Sequence, residues 1–191
     1  MARTTDPQAS AQPAHRSLAF RYFLASTRAF VLIARVKLII AGVSGSGKTT
    51  IGRLLAEKLG CEFADADGFH PPENIAKMSA GVPLTDEDRA GWLDALGRHL
   101  AAHDSIVLAC SALKQAYRDR LRALAGELRF VVLIADRAIL RERLDERQSE
   151  GSHFMPASLL DSQLATLELG ADVEVVRNDG AAAEVVDRIL G

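Results

Sequence analysis

The chain has 191 residues, of which 48% are apolar and 25% charged, and its net charge at pH 7 is −2. This composition is typical of one soluble globular domain and excludes a disordered chain, a collagen-like fibre and a polytopic membrane protein. The small net charge gives no global positive field for nucleic acid. Two cysteines are too few for a disulfide framework, which favours a reducing, cytoplasmic location.

The N-terminal segment differs from the rest. Residues 1–37 carry six basic side chains and one acidic side chain, a net charge of +5, and the remainder, with 17 basic and 24 acidic, has −7. Residues 1–16 lack apolar periodicity and are predicted to be disordered. In the apolar stretch 17–36, Arg21, Arg28 and Arg35 make a membrane span costly and share one helical face. We interpret residues 1–35 as a basic, disordered or loosely helical extension that is dispensable; a targeting segment and a structural role are the alternatives.

From residue 36 onwards, short β-branched runs alternate with longer segments of helical periodicity. Strands are predicted at residues 36–41, 62–65, 105–110, 129–135 and 173–176. Helices are predicted at residues 48–59, 73–80, 87–102, 115–125, 137–147, 157–167 and 181–190. The alternation predicts an α/β domain over residues 36–191, with a parallel sheet covered on both faces.

The strongest motif lies between the first predicted strand and helix. The run Gly42-Val43-Ser44-Gly45-Ser46-Gly47-Lys48-Thr49 matches the phosphate-loop pattern G-x-x-x-x-G-K-[ST] at every fixed position. Its glycines let backbone N–H groups point at phosphate oxygens, beside the positive end of a helix. Lys48 is predicted to reach the β- and γ-phosphates, and Thr49 to ligate Mg²⁺. The predicted ATP-binding residues are Gly42, Val43, Ser44, Gly45, Ser46, Gly47, Lys48, Thr49 and Thr50.

The phosphate loop alone does not separate kinases from other nucleotide-binding proteins. The N-K-x-D motif of GTPases is missing from the sequence. Asp136 follows an apolar strand, which is the position of the magnesium-binding acid in an ATPase motor. It also directly precedes a segment of helical periodicity, and Asp is a favourable N-cap residue there. We favour the N-cap interpretation.

A second informative stretch ends the second predicted strand, where Asp65 and Asp67 precede Gly68 and His70. Carboxylates at the carboxyl end of a strand beside a phosphate loop can serve Mg²⁺ binding and proton acceptance from a substrate hydroxyl. Strand alternation would send them to opposite faces unless the strand has already ended. A pair of acids in a surface turn is the alternative.

Three further motifs resemble the gluconokinase family. They are Asp67 to Leu93 (including His70-Pro71, Asp88-Arg89 and Trp92-Leu93), Cys110 to Asp119, and His153 to Glu168. The resemblance covers residues 36–191 and implies a three-layer α/β/α fold with five parallel strands in the order 2-3-1-4-5 and a small lid at about residues 148–156. It implies phosphorylation of D-gluconate at its 6-hydroxyl with ATP and Mg²⁺, commonly by a homodimer, with no nucleic-acid or membrane partner.

The resemblance also implies residue roles. Asp67 is the candidate base, Asp65 joins Thr49 in the Mg²⁺ shell, and Arg89 grips the substrate carboxylate. The other substrate-binding candidates are His70, Lys114, Arg118 and His153. Arg143 and Arg147 are assigned to the transferring phosphoryl group, together with Lys48. Without the resemblance, Arg89, Lys114, Arg118, Arg143 and Arg147 would be interpreted as helix-surface charges and His70 as structural. Shikimate kinase, another small-molecule kinase and a nucleotide-binding module without transfer activity remain alternatives.

Overall fold

The computed structural model describes residues 36–149 and 159–191. Its strands are β1 (Lys37–Ala41), β2 (Glu62–Asp65), β3 (Ile106–Cys110), β4 (Arg129–Ile134) and β5 (Glu174–Arg177). Its helices are α1 (Lys48–Leu59), α2 (Pro72–Ser79), α3 (Asp86–Ala101), α4 (Gln115–Ala125), α5 (Arg137–Ser149), α6 (Leu160–Thr166) and α7 (Ala182–Leu190).

Most of these bounds agree with the predicted elements to within two residues. One element was not predicted, a 3₁₀ helix at Ala66–Phe69 directly after β2. Helix α5 runs two residues past its predicted end, into the segment predicted as a lid. The rest of that lid, the start of the predicted helix at 157–158 and the predicted extension at residues 1–35 lie outside the described residues.

The five strands form one sheet in the order β2-β3-β1-β4-β5, with every neighbouring pair parallel. This confirms the predicted order. Leu38 and Ile40 of β1 pack with residues of α1 and α7 on one face, while Ile39 packs with residues of α3 and α4 on the other. The strand is therefore apolar throughout, because both of its faces are buried.

Local signals fix the helix that faces the candidate site. Helix α3 begins with a capping box, in which the Asp88 N–H donates to Thr85 Oγ1 at 3.2 Å and the Thr85 N–H donates to Asp88 Oδ2 at 3.0 Å. The exchange satisfies two N–H groups at the helix start. Separate hydrogen bonds hold the start of α3 in place, from Asn74 of α2 to the Asp88 carbonyl oxygen and from Trp92 to the Ala66 carbonyl oxygen after β2, both at 2.8 Å.

The carboxyl ends of all five strands lie at one edge of the sheet, because the strands are parallel. The phosphate loop follows β1, the 3₁₀ helix follows β2, and Asn178 follows β5. In open α/β sheets, ligands bind in the crevice at this edge. Among the described residues, no helix combines the length and apolarity needed to cross a membrane.

Candidate active site

The phosphate loop joins β1 to α1, and its path requires glycine at three positions, Gly42, Gly45 and Gly47. Gly42 has a φ of +138°, and a Cβ there would lie 2.6 Å from the Leu133 carbonyl oxygen of β4. Gly47 has a φ of +91°, and its Cβ would lie 2.3 Å from Nδ2 of Asn178. A side chain at either position would force the loop away from its neighbours. The motif glycines therefore permit both the positive φ angles of the loop and its close packing against β4 and Asn178.

The inner side of the loop suits an anion. Lys48 and Thr49 begin α1, where N–H groups lack intrahelical acceptors and carry partial positive charge. Ser46 is fully buried, and its Oγ has no hydrogen-bond partner in the described part of the chain. Lys48 Nζ donates to the Val43 carbonyl oxygen at 3.0 Å. The loop thus presents N–H donors, the Lys48 ammonium and the unpaired Ser46 hydroxyl on one side, an arrangement that fits a phosphate group.

Two carboxylates face the buried Lys48 ammonium. Burial lowers the pKa of Lys48, and the charges of Asp67 and Asp65 oppose this shift. The three groups thus share one electrostatic environment at the end of β1 and β2, which is the arrangement that phosphate-chain and metal binding require.

Thr49 and Asp65 provide a fitting magnesium site. Thr49 Oγ1 donates to Asp65 Oδ2 at 2.8 Å. The other oxygen of Asp65 accepts the Asp67 N–H at 3.1 Å, which fixes the carboxylate as the N-cap of the 3₁₀ helix. Mg²⁺ prefers such oxygen ligands and binds through few protein groups. A Mg²⁺ ion would be held here by Thr49 and Asp65.

Asp136 does not take part in this arrangement. It directly precedes α5, its carbonyl accepts the Leu140 N–H at 3.0 Å, and its carboxylate accepts from Arg177 at 2.9 Å. The side chain is 68% exposed. Asp136 thus occupies the helix-start position that we favoured, and its carboxylate forms a surface ion pair.

Two residues that were not among the predicted site residues hold the phosphate loop from distant parts of the chain. Gln163 of α6 accepts the Ser44 N–H on its Oε1 at 2.7 Å. Asn178 donates its Nδ2 to the Ser46 carbonyl oxygen at 2.7 Å. Both side chains are at least nine-tenths buried. These contacts span 119 and 132 residues of sequence, so no local pattern reveals them.

A cleft that is partly open to solvent lies beside the loop, a concave shape that suits a small molecule. Four of the predicted substrate-binding residues line it: Asp67, His70, Arg89 and Lys114. Gln163 lines it as well and so touches both the cleft and the phosphate loop.

His70 is held rigidly in this cleft. Its ring stacks on Trp92 with centroids 4.5 Å apart and an interplanar angle of 6°. Trp92 is buried and donates its Nε1 hydrogen to the Ala66 carbonyl oxygen at 2.8 Å, which fixes the 3₁₀ helix above it. Burial, and then the charge of Arg89, lower the pKa of His70 to about 4. His70 is therefore neutral near pH 7 and offers one donor and one acceptor.

Arg89 is a half-buried cation, and among the described residues no carboxylate forms an ion pair with it. Its guanidinium carbon lies 5.7 Å from the centroid of the Tyr117 ring. Asp88, the neighbouring acid, pairs instead with Lys77 at 2.6 Å. The pair that a surface helix arginine would form with Glu87 or Asp88 is thus not present among the described residues, and the guanidinium lines the cleft.

Lys114 lies at the mouth of the same cleft and is already engaged. Its Nζ donates to both oxygens of Asp86, at 2.7 and 2.9 Å, and Tyr117 donates its hydroxyl hydrogen to the same carboxylate. The hydrogen bonds from Lys114 and Tyr117 lower the pKa of Asp86. A substrate would have to share Lys114 with this carboxylate.

Arg118 corrects a prediction. We expected it to contact substrate or product phosphate, but its side chain is fully buried and is not part of the cleft lining. It donates to both carboxylate oxygens of Asp172, at 2.7 and 3.0 Å, and to the carbonyl oxygens of Ala112 and Leu113. With these bonds inside the protein, Arg118 stabilises the segment between β3 and α4.

Arg143 and Arg147 line a second cleft on the other side of the phosphate loop, together with Gly47, Thr50 and Asn178. Arg143 donates to the Gly45 carbonyl oxygen at 3.4 Å, a long contact. The positive charge of Arg147 reaches Lys48 and helps to lower the pKa of that lysine. Both arginines thus lie next to the predicted phosphate site. His153 lies outside the described residues.

Comparisons with known proteins agree with this geometry. A family model described as an AAA domain matches residues 38–169. A gluconokinase of Gluconobacter oxydans is 49% identical over 148 residues, which are 75% of this chain and 82% of that protein. The crystal structure of a gluconokinase from Sinorhizobium meliloti is 45% identical with a TM-score of 0.74, covering 82% of this chain and 90% of that chain. A shikimate kinase from Bacteroides thetaiotaomicron, 17% identical with a TM-score of 0.57, shares the fold. The chain belongs to the gluconokinase family of phosphate-loop kinases.

Proposed function

We propose that this chain transfers the γ-phosphoryl group of ATP to the 6-hydroxyl of D-gluconate, giving 6-phospho-D-gluconate and ADP. The observation that carries the proposal is the content of the cleft beside the phosphate loop. It holds one cation without an ion-pair partner in the described residues, Arg89, and one carboxylate next to the loop lysine, Asp67. Gluconate needs both, a cation for its carboxylate and a base for its terminal hydroxyl.

The cleft fits the two ends of gluconate. Arg89 can bind the carboxylate with two parallel hydrogen bonds, and Lys114 adds a second positive charge. His70, neutral and fixed on Trp92, can exchange hydrogen bonds with hydroxyl groups along the carbon chain. With its carboxylate on Arg89, gluconate would extend its other end, which carries the 6-hydroxyl, towards Asp67 and Lys48.

Phosphoryl transfer needs charge stabilisation and positioning more than covalent chemistry, because its transition state is loose. Bound Mg²⁺ would neutralise part of the charge on the β- and γ-phosphates. In this chain Lys48 and the N–H groups at the start of α1 bind phosphate oxygens, and Thr49 and Asp65 hold the metal. Asp67 orients the 6-hydroxyl and accepts its proton. Arg143 and Arg147 stabilise charge that develops on the transferred group.

The test is an ADP-release assay with ATP, Mg²⁺ and a panel of sugar acids that includes gluconate, with shikimate as a separate substrate. We expect turnover with gluconate and none with shikimate. Turnover with shikimate alone would contradict the substrate, and ATP binding without any acceptor-dependent ADP release would contradict the kinase activity itself.

A matched pair of variants tests the assigned base. Asp67→Asn should lower kcat by about 100-fold, the lower range for loss of a general base. The control is Asp94→Asn, which removes a carboxylate of α3 that pairs with Arg120 on α4. Equal activity of the two variants would remove Asp67 from the mechanism.

We further propose that residues 36–191 form the catalytic unit, that it works as a homodimer, and that it is cytoplasmic. In the described residues Cys61 and Cys110 are free thiols, the state that a reducing compartment maintains. Deleting residues 1–34 should leave kcat and Tm nearly unchanged, and a large loss of either would refute the boundary.

Light scattering after size exclusion should give twice the chain mass, and a monomer mass would refute the dimer.

A further inference from the structure

Three metal-ligating side chains meet at the edge of the sheet opposite the phosphate loop. Glu62 is the first residue of β2, His99 lies in the last turn of α3, and His103 follows that helix. One ligand atom from each side chain lies within 4.8 Å of the other two. The histidines are four residues apart, a spacing that places two side chains on one helical face.

The contacts of His103 place one of its ring nitrogens against a backbone carbonyl oxygen and the other against Glu62. Nδ1 of His103 lies 2.7 Å from the carbonyl oxygen of His99. A carbonyl oxygen only accepts, so Nδ1 donates its hydrogen to it, as the outer nitrogen of a metal-bound histidine usually does. Nε2, the other ring nitrogen, lies 3.1 Å from Glu62 Oε2 and is therefore the nitrogen that would bind a metal ion together with this carboxylate.

His99 supplies the observation that favours a metal. Its Nε2 is buried and has no hydrogen-bond partner among the described residues, which is costly for a polar atom. The ring contacts His103, with centroids 4.5 Å apart, and Phe69 at 4.9 Å. His99 is one of the three residues whose ligand atoms meet in this cluster, so a metal ion bound there would engage both histidine rings.

We propose that Glu62, His99 and His103 bind a divalent transition metal, with Zn²⁺ as the best match. Imidazole and carboxylate ligands suit Zn²⁺, which binds nitrogen at about 2.0–2.1 Å in tetrahedral geometry. Ligand atoms around it are then roughly 3.4 Å apart, close to the 3.1 Å between His103 Nε2 and Glu62 Oε2. The carbonyl that fixes His103 Nδ1 is the outer contact that metal-bound histidines usually have.

This site is separate from the one for Mg²⁺. Glu62 and Asp65 are at opposite ends of β2, a distance of about 10 Å at the usual strand rise. Mg²⁺ also prefers all-oxygen ligands, so the two histidines discriminate against it. A bound Zn²⁺ would join the edge strand β2 to the end of α3 and would add stability without contacting the reacting groups.

The experiment is calorimetric titration of Zn²⁺ into the full chain, first stripped with a chelator and then held in excess Mg²⁺ to occupy the Thr49–Asp65 site. We expect one Zn²⁺ per chain and a rise in Tm on binding. His103→Ala and Glu62→Gln should each weaken binding by at least roughly 10- to 100-fold, the range known for outer contacts of metal ligands. Cys61→Ser, which removes a neighbouring thiol, should leave it unchanged.

The proposal would be overturned if the wild-type chain bound no Zn²⁺, or if wild type and His103→Ala bound it equally. If Cys61→Ser lost Zn²⁺ binding and Glu62→Gln retained it, the ion would be bound by the thiol instead. That result would also overturn the proposal. Proton NMR of the wild-type imidazoles needs no variant. Zn²⁺ should shift the ring signals of two histidines, and unshifted signals would contradict the site.

Discussion

Replacing Arg89 with alanine should weaken gluconate binding selectively. A hydrogen bond to a charged group contributes about 1.5–3 kcal/mol, and Arg89 is placed to form two with a carboxylate. Because the cleft is open on one side, water will replace part of the hydrogen bonding that the substitution removes. We therefore assign about 3 kcal/mol of binding free energy to the two hydrogen bonds together. This corresponds to a roughly 100-fold higher KM for gluconate, at 1.4 kcal/mol for each factor of ten. The KM for ATP should stay within about threefold, since the arginine faces the cleft and not the phosphate loop.

The assay is ADP release with each substrate varied in turn, run at pH 8 so that His70 stays neutral after its positive neighbour is removed. Arg89→Lys keeps the charge but loses the planar fork and should raise the gluconate KM by an intermediate factor of about ten. Arg120→Ala is the control, because this arginine pairs with Asp94 on the surface. Equal increases in both KM values for Arg89→Ala, or an unchanged gluconate KM, would refute the assigned contact.

Three further predictions concern the loop, the pH dependence of stability and the corrected arginine. Lys48→Ala should lower kcat at least about 1000-fold in the ADP assay, because it removes the cation that faces the phosphates; activity near wild type would contradict its role. The folded pKa of His70, about 4, lies below the ordinary 6.5, so this residue lowers stability as pH falls from 6.5 to 4. Relative to His70→Gln, wild type should lose about 2 kcal/mol of unfolding free energy between pH 7.5 and 5 in urea titrations, and parallel curves would exclude the shift. Arg118→Met should lose about 1–3 kcal/mol of stability, since it leaves the Ala112 and Leu113 carbonyl oxygens without their donor while Asp172 keeps its ion pair with Arg122. Arg120→Met should lose under about 1 kcal/mol.

The strands and the phosphate loop could be predicted because their signals are local. A strand buried on both faces is a continuous apolar run, as β1 shows, and the loop motif states its glycines and lysine directly. The order of the strands came from the family resemblance, since periodicity alone does not specify which strands are neighbours.

The turn after β2 shows a local feature that was only partly predictable. Alternation along a strand would have separated Asp65 from Asp67. The strand ends at Asp65, whose side chain caps a 3₁₀ helix that starts at the next residue. Both carboxylates therefore come to act on Lys48. The cap depends on a single hydrogen bond, which the pattern of residue types does not reveal.

Arg118, Gln163 and Asn178 show what a sequence pattern does not contain. Arg118 looks like a solvated helix residue until Asp172, 54 positions later, folds against it. Gln163 and Asn178 act on the phosphate loop only because α6 and the end of β5 meet it in space. In each case the partner is set by tertiary packing, so the role follows from the fold and not from neighbouring residues.

The position of phosphorylation tests the account most directly. The product formed from ATP and D-gluconate should be isolated and analysed by ³¹P NMR with proton coupling. If the 6-hydroxyl is the acceptor, the phosphorus signal should couple to the two protons of the C6 methylene group. The isolated product should also have the mass of 6-phospho-D-gluconate. A phosphorus signal coupled to a single methine proton, or release of inorganic phosphate as the sole product, would contradict the central claim.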